Sequence, residues 1–411
     1  MDWFEDLAVR PGVFYLPGEK TNNAAWPQVA CDQYTAQPEK WEEADRLAGD
    51  RPSALRLIIP ECYLAESDRR VPAIQETMRT YLRDGVLSEA VRGMVLAERE
   101  TQSGKRLGLV LTVDLEQYDF SPDSHSLIRP TEGTIVSRIP PRQKVRREAA
   151  LELSHVLLLC DDPARTVIEP VYENRGMLRP LYDVELNLSG GHLKGWAVED
   201  DETLAQIAAA LRGLKERLPE KGILFAVGDG NHSLATAKAH WEEVKAGLPR
   251  EQWDAHPARF AMAELNNIYD SALIFEPIHR VLFDVTEEET LAALREADLI
   301  PDADKPDMVL ATREGDRPFR FGKPLHTLPV GTVQALLDRW AGLRLDYVHG
   351  EDAVRSIVQR GNAVGILLPP MKKETLFPAV AANGPLPRKT FSMGEANEKR
   401  YYMEARKIIK D

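Results

Sequence analysis

"ILFAVGDGNHSLATAKAHW" occupies Ile223–Trp241. Its first five residues are apolar and suit a short buried strand. From Ala235 onward the alanine-rich stretch suits a helix. Between them lies Gly228-Asp229-Gly230-Asn231-His232-Ser233. Glycines at such a junction permit positive φ and close backbone approach. A helix N-terminus offers unsatisfied N–H groups and a partial positive charge, which together suit an anion. Asp229 stands just before that helix end, with His232 and Ser233 in its first turn. One reading makes this a phosphate site with Asp229 as general base or magnesium ligand. A second makes it a tight turn with Asn231 as N-cap and a locally packed His232. The residues alone accommodate both. GxxxxGK[ST] and the three-glycine dinucleotide fingerprint are absent.

Outward from this stretch, helical and strand patterns alternate, which predicts an α+β (mixed α/β) fold. "VRGMVLAERET" and "KRLGLVLTVDL" meet at Gln102-Ser103-Gly104, and "LYDVELNLSGGHLKGWAVED" turns at Gly190-Gly191. Both predict antiparallel hairpins in a mixed sheet. Helices are predicted at Pro38–Gly49, Pro72–Gly85 and Asp201–Leu218, and a buried strand at Leu55–Pro60. After Gly247-Leu248-Pro249 the pattern loosens, so a boundary is placed near residue 250, giving domains 1–250 and 251–411. The second is predicted to be α/β, with strands in "RFAMAELNNI", "IHRVLFDV", "DMVLATR" and "NAVGILLP". Its helices are predicted around Glu287–Ala297, Val330–Ala341, Asp352–Arg360 and Glu395–Lys407, the last opened by a Ser392/Glu395 capping box.

The chain has 411 residues, 43% hydrophobic and 28% charged, with net charge −13. That composition is globular. The acidic balance disfavours nucleic acid and anionic membrane as partners, so an anion must be caught by a local basic site. No run reaches the ~18 apolar residues of a membrane span. The N-terminal residues do not read as a secretory leader. Cys31, Cys62 and Cys160 form no CxxC pair, as expected of reduced thiols in a cytoplasmic protein. Cys31 lacks an evident activating base in sequence and is expected to be a small buried thiol. His279 is expected to be a core histidine. No spacing matches zinc.

"SRIPPRQKVRRE" puts Arg138, Arg142, Lys144, Arg146 and Arg147 within ten positions without an acid. Arginines there suit phosphate or carboxylate, with Arg138 and Arg142 beside the rigid Pro140-Pro141. The alternative is a solvated face pairing with the acidic surface. Arg129 and Glu132 lie just upstream in "IRPTEGT".

Together, "VGDGNHSLATAKAHW", "SLIRPTEGTIVSRIPPRQKVRREAALELSHVLLLCDDP", "FEPIHRVLF" and "LPRKTFSMGEANEKRYY" resemble the bacterial family catalogued as domain of unknown function 1015. The resemblance covers nearly the whole chain, from "VACDQYTAQPEKWEE" to the last predicted helix. That family's hallmark resembles Asp-Gly-His-His-Arg at a strand-to-helix junction, similar to the motif of the ParB/sulfiredoxin-like superfamily. Members of the superfamily bind nucleotide phosphates at this helix end and include free-serine kinases and CTP-hydrolysing partition proteins. Asp229, Gly230 and His232 match the hallmark, whereas Asn231 and Ser233 replace its first His and its Arg. Asp32 matches an N-terminal acidic position.

The resemblance implies a ParB/sulfiredoxin-like core and a phosphotransferase that moves a phosphoryl group from a nucleotide or polyphosphate to a small hydroxylated metabolite. Asp229 and His232 would be catalytic. Gly228, Gly230, Asn231, Ser233, Arg138 and Arg142 would hold phosphate. Asp32, Arg129 and Glu132 would hold the substrate, with magnesium and a nucleotide as cofactors. The alternative is a nucleotide- or metabolite-binding regulatory protein without turnover, which the missing Arg favours. Ser233 leaves a question of charge: either the Arg138–Arg147 cluster supplies it, or the phosphate chemistry is lost.

Overall fold

A computed structural model describes residues 3–18, 21 and 24–410, with the side chain of Arg138 outside the described part. The chain forms two units, Met1–Leu273 with Glu395–Asp411, and Ile274–Gly394. The boundary expected near residue 250 falls inside the first unit, because Phe260–Asn267 is a strand of that unit's sheet. The tail expected in the second domain also belongs to the first unit.

The first unit is built on a ten-stranded mixed sheet. Its order is Ile128–Pro130, Phe225–Asp229, Leu157–Cys160, Phe260–Asn267, Gly104–Asp114, Leu87–Thr101, Gly191–Val198, Arg179–Leu186. Short strands Val9–Arg10 and Gly12–Pro17 pair at the side. Both expected hairpins are present and antiparallel. The parallel pairs are Phe225–Asp229 with Ile128–Pro130 and Phe260–Asn267 with Leu157–Cys160.

The sheet is buried on both faces, as strand alternation shows. Met94, Leu96, Leu109, Leu111 and Val113 enter one core, while Val95, Ala97, Val110 and Met262 enter the other. Helices Asp201–Glu216 and Asn231–Ala246 cover the first face. Asp200 opens the former by accepting the Thr203 N–H at 2.8 Å. Leu204, Ile207, Ala208, Leu211 and Leu214 form its buried stripe. Full burial of each Leu or Ile contributes roughly 1.5–3 kcal/mol. The other face is covered by Pro38–Ala48, Ser67–Arg83 and the tail after Glu395.

Two expectations fail for physical reasons. The strand expected at Leu55–Pro60 is a 3-10 turn at Ala54–Leu57, because the Ser53 hydroxyl accepts the Leu55 N–H and caps it. The helix expected at Glu395–Lys407 is a 3-10 turn at Ala396–Glu398 followed by extended chain. A capping box does occur, but Glu395 and Glu398 make it. Tyr401–Tyr402 pairs with Gln28–Val29, and Arg406–Lys407 with Leu151–Glu152. Every residue from Arg400 to Arg406 is buried. The charges of this segment form buried ion pairs: Arg400 with Glu264 (2.9 Å) and Glu404 (2.6 Å), and Arg406 with Glu152 (2.6 Å). The helix expected at Pro72 starts earlier, at Ser67.

The second unit is a seven-stranded antiparallel sheet, in the order Leu299–Pro301, Gly315–Phe321, Met308–Thr312, Ala363–Leu367, Phe275–Phe283, Arg344–His349, with Phe391–Met393 also pairing with Phe275–Phe283. Helices Glu287–Leu294, Pro329–Leu337, Glu351–Arg360 and Leu376–Asn383 accompany it. His279 is a core residue whose Nδ1 accepts the Leu368 N–H at 3.1 Å. Among the described residues, no helix is long and apolar enough to cross a membrane.

Candidate functional site

The opening stretch folds as strand Phe225–Asp229, then Gly230, then helix Asn231–Ala246. A register shift between Val227 and Asp229 interrupts the pairing with Leu157–Cys160, which closes on Asp229 opposite Leu157. Gly230 is the N-cap, with φ +77°. An added Cβ there would stand 3.0 Å from Val156 Cα, so both conformation and space call for glycine. Among the described residues Gly228 is not in the positive-φ region. Asn231 is the first helical residue rather than the cap, and its buried Oδ1 has no hydrogen-bond partner. His232 Nε2 accepts the Ile135 N–H at 3.2 Å. The first-turn N–H groups have no acceptor within the helix.

Asp229 is mostly buried. Its Oδ1 accepts the Gly230 N–H at 2.9 Å, and its Oδ2 lies 3.4 Å from Lys399 Nζ, an ion pair without hydrogen-bond alignment. Lys399 belongs to the returning tail and is buried. Two more segments converge on the same charges. His155, just before the strand Leu157–Cys160, places Nε2 3.7 Å from Asp32 Oδ2. Its Nδ1 is hydrogen-bonded to the Tyr402 hydroxyl at 2.7 Å, and the Cys31 N–H donates to that hydroxyl at 3.1 Å.

The electrostatics follow from this packing. Burial opposes charge on His155, but Asp32, then Cys31 and Asp229, hold the imidazole up at about 9. Burial also opposes charge on Asp32. His155, the Gln33 side chain and Lys399 nevertheless hold it below the usual carboxylate range. Burial and the neighbouring Cys31 raise the Tyr402 hydroxyl well above its ordinary value. The His155 imidazolium and the Asp32 carboxylate thus sit with the Lys399–Asp229 ion pair beside a helix N-terminus.

The family model described as "Protein of unknown function (DUF1015)" matches residues 15–407. The chain belongs to the DUF1015 family. No curated protein matches it. Among solved structures, this DUF1015 protein is similar to a free serine kinase in complex with AMP at TM-score 0.39 and 11% identity, covering 73% of this chain and 91% of that one. It is similar to a conserved hypothetical protein from Pyrococcus furiosus at TM-score 0.35 and 11% identity, covering 72% and 90%. It is also similar to C-terminally truncated SbnI from Staphylococcus aureus at TM-score 0.36 and 11% identity, covering 69% and 82%.

Of the residues singled out in the sequence of this DUF1015 protein, Asp32 and Asp229 share the charge cluster, and Gly230, Asn231, His232 and Ser233 form the turn and first helical turn. The remaining candidates are occupied differently. Arg129 is buried and donates to the carbonyls of Ser126 (3.0 Å), Lys221 (2.7 Å) and Gly222 (3.2 Å), so it ties loops together. Glu132 lies partly exposed two residues beyond that short strand. The basic run forms helix Ile139–Arg146, and its cations meet carboxylates. Arg142 pairs with Glu61 (2.6 Å), Lys144 with Asp68, Arg146 with Glu152 and Arg147 with Glu243 (2.9 Å). That is the solvated-face arrangement, except for the part-buried Arg142 and Arg146. Arg138, by its side chain, lies outside the described residues.

Sequence reasoning missed His155, Lys399 and Tyr402, and it set Cys31 aside for want of a base. His155 lies near Cys31, but Asp32 keeps it protonated, so it supplies charge rather than a base. The available signal was an unexplained His at the mouth of an apolar strand, "SHVLLLC", and a Lys within "EKRYY".

Proposed function

We propose that this DUF1015 protein transfers a phosphoryl group from a nucleotide or polyphosphate to the hydroxyl of a small metabolite at the helix end after Gly230. The observation that carries the reading is the placement of Lys399 and the His155 imidazolium around Asp229 and Asp32. They supply the positive charge that Ser233 lacks. Phosphoryl transfer is mostly positioning and charge neutralisation, so these groups match its demands.

In this reading the first-turn amides and Lys399 take phosphate oxygens. Asp229 accepts the proton of the acceptor hydroxyl as its oxygen bonds to phosphorus and the bond to the donor's bridging oxygen breaks. His155 offsets charge on the transferring group, and Asp32 keeps His155 protonated. Magnesium fits in a limited way. The Asp229 Oδ2 lacks a hydrogen-bond partner, and magnesium uses one or two carboxylates with substrate phosphates. Among the described residues no group of three or more His, Cys, Asp or Glu forms a cage. Magnesium would thus be carried in by the phosphates, held by Asp229, and would neutralise their charge.

The test uses purified protein, phosphoryl donors and a panel of hydroxylated acceptors, with donor affinity measured by calorimetry. Asp229→Asn is expected to abolish turnover with donor affinity largely kept. Lys399→Met is expected to weaken donor binding by ~1.5–3 kcal/mol, as for a charge-assisted contact. Donor binding without turnover of any acceptor by the unaltered protein would replace this reading with a regulatory binding protein.

A further inference from the structure

We infer that the loop of residues 131–135 forms a second wall of the site and that Thr134 is a phosphate contact on it, an inference that rests on the phosphoryl-transfer proposal above. Strands Ile128–Pro130 and Phe225–Asp229 are parallel neighbours, with Pro130 opposite Val227. Their carboxyl ends therefore lie at the same edge of the sheet. The segments that follow them leave that edge side by side. One is the glycine turn with the helix Asn231–Ala246, and the other is the loop 131–135. Loops leaving the carboxyl ends of adjacent parallel strands are a common place for a ligand.

Hydrogen bonds at both ends fix the loop against the turn. At its start the Thr131 hydroxyl donates to the Val227 carbonyl at 2.6 Å. At its end the Ile135 N–H donates to His232 Nε2 at 3.2 Å, in the first turn of the helix. Thr134 is the residue before that contact. Its Oγ1 is buried and has no hydrogen-bond partner among the described residues. On the helix side Asn231 is 8% exposed, and its Oδ1 is likewise buried without a partner.

A buried polar group without a partner costs stability, and folded chains keep few of them. Two such groups, on segments tied together through His232 at a helix N-terminus, mark a place where a ligand supplies the partner. What they offer defines its chemistry. The helix end favours negative charge and disfavours a cation. A threonine hydroxyl can donate, and a carboxamide presents either its oxygen or its NH2 by a half-turn. The Thr134 O–H and the Asn231 NH2 therefore suit phosphate oxygens. They meet from the loop and the helix flank a group that the first-turn amides meet end-on. A chain of phosphates is common to a nucleoside triphosphate and to polyphosphate, so the assignment holds for either donor.

The test is calorimetric titration of the full chain with inorganic tripolyphosphate and with adenosine triphosphate, each with magnesium. Thr134→Val is expected to weaken whichever of the two the unaltered chain binds by about 10- to 100-fold, the size of one charge-assisted hydrogen bond. Thr134→Ser keeps the hydroxyl and is expected to bind as the unaltered chain does. Without ligand, Thr134→Val is expected to melt no lower than the unaltered chain, because it removes a buried hydroxyl that has no partner. A lowered midpoint shows a hydroxyl engaged within the chain and overturns the inference. Should Thr134→Val fail to fold, Thr134→Ala takes its place in the titration. Equal binding by the unaltered chain and the variant without the hydroxyl overturns the inference, leaves water as the partner of Thr134, and keeps the phosphoryl-transfer proposal in place. Binding of neither ligand by the unaltered chain overturns both.

Discussion

Replacing Asp32 with Asn removes the carboxylate 3.7 Å from His155 Nε2 and leaves the ring's packing in place. In the folded chain His155 is held at about 9, against an ordinary 6.5. That rise is worth about 3 kcal/mol at about 1.4 kcal/mol per pH unit. The ring is buried, so solvent screening removes little of it. The raised value means that the native state keeps a proton the unfolded chain has released between pH 6.5 and about 9. The stabilisation is therefore complete below pH 6.5 and is lost through that window, at up to about 1.4 kcal/mol per pH unit. In Asp32→Asn the largest attractive partner is gone while burial still disfavours charge. The ring is then neutral at pH 7 and the slope disappears. Asp32, held low in the native chain, acts in the opposite direction: its contribution is present above 3.8 and lost as pH falls below it. Ring-labelled histidine NMR reads the titration directly, with His155→Gln assigning the signal, and urea unfolding across pH 6 to 9 reads the slope. A His155 resonance titrating near 6.5 in the unaltered protein, or one indifferent to Asp32→Asn, refutes the reasoning.

Three further outcomes are expected. Arg142→Ala leaves phosphate-donor affinity unchanged in calorimetry and costs under ~1 kcal/mol of stability, because Arg142 is engaged with Glu61 in a part-exposed pair. A weakened affinity would return the basic helix to the site. Gly230→Ala destabilises by about 1–3 kcal/mol in chemical unfolding, since φ +77° and Val156 both reject a Cβ. An unshifted midpoint would mean the turn is not held as described. Arg400→Met strands Glu264 and Glu404 in the interior and is expected to cost about 3–5 kcal/mol, read from the thermal midpoint. A neutral effect would show that these carboxylates reach water.

Local signals were legible where local forces decide. The hairpin turns at Gln102-Ser103 and Gly190-Gly191, the capped stripe of Asp201–Glu216 and the strand-to-helix turn at Gly230 all follow from short-range pattern. The tail shows the limit. "EANEKRYYMEARK" has the composition of an exposed helix, yet partners far away in sequence draw Arg400 and Arg406 inside and stretch the chain. Buried ion pairing overrides local propensity there, and no window of neighbouring residues contains its cause. The same holds for the site. Asp229 announced itself through its glycines, but Lys399 and His155 gain meaning only when the sheet brings them to it. Resemblance to a family motif pointed to an absent arginine, and only three-dimensional packing brings Lys399 to Asp229 and His155 to Asp32.

The returning tail also sets an order of events during synthesis. Residues 274–394 are made between the strand Phe260–Asn267 and the segment that covers its sheet. Until that segment has left the ribosome, Glu264 lacks Arg400, Glu152 lacks Arg406 and Asp229 lacks Lys399. A chain interrupted anywhere in the second unit carries the whole glycine turn, yet leaves Glu264 and Asp229 without these cations, while Glu152 keeps only Arg146. On the proposed phosphoryl-transfer reading, competence is conferred last.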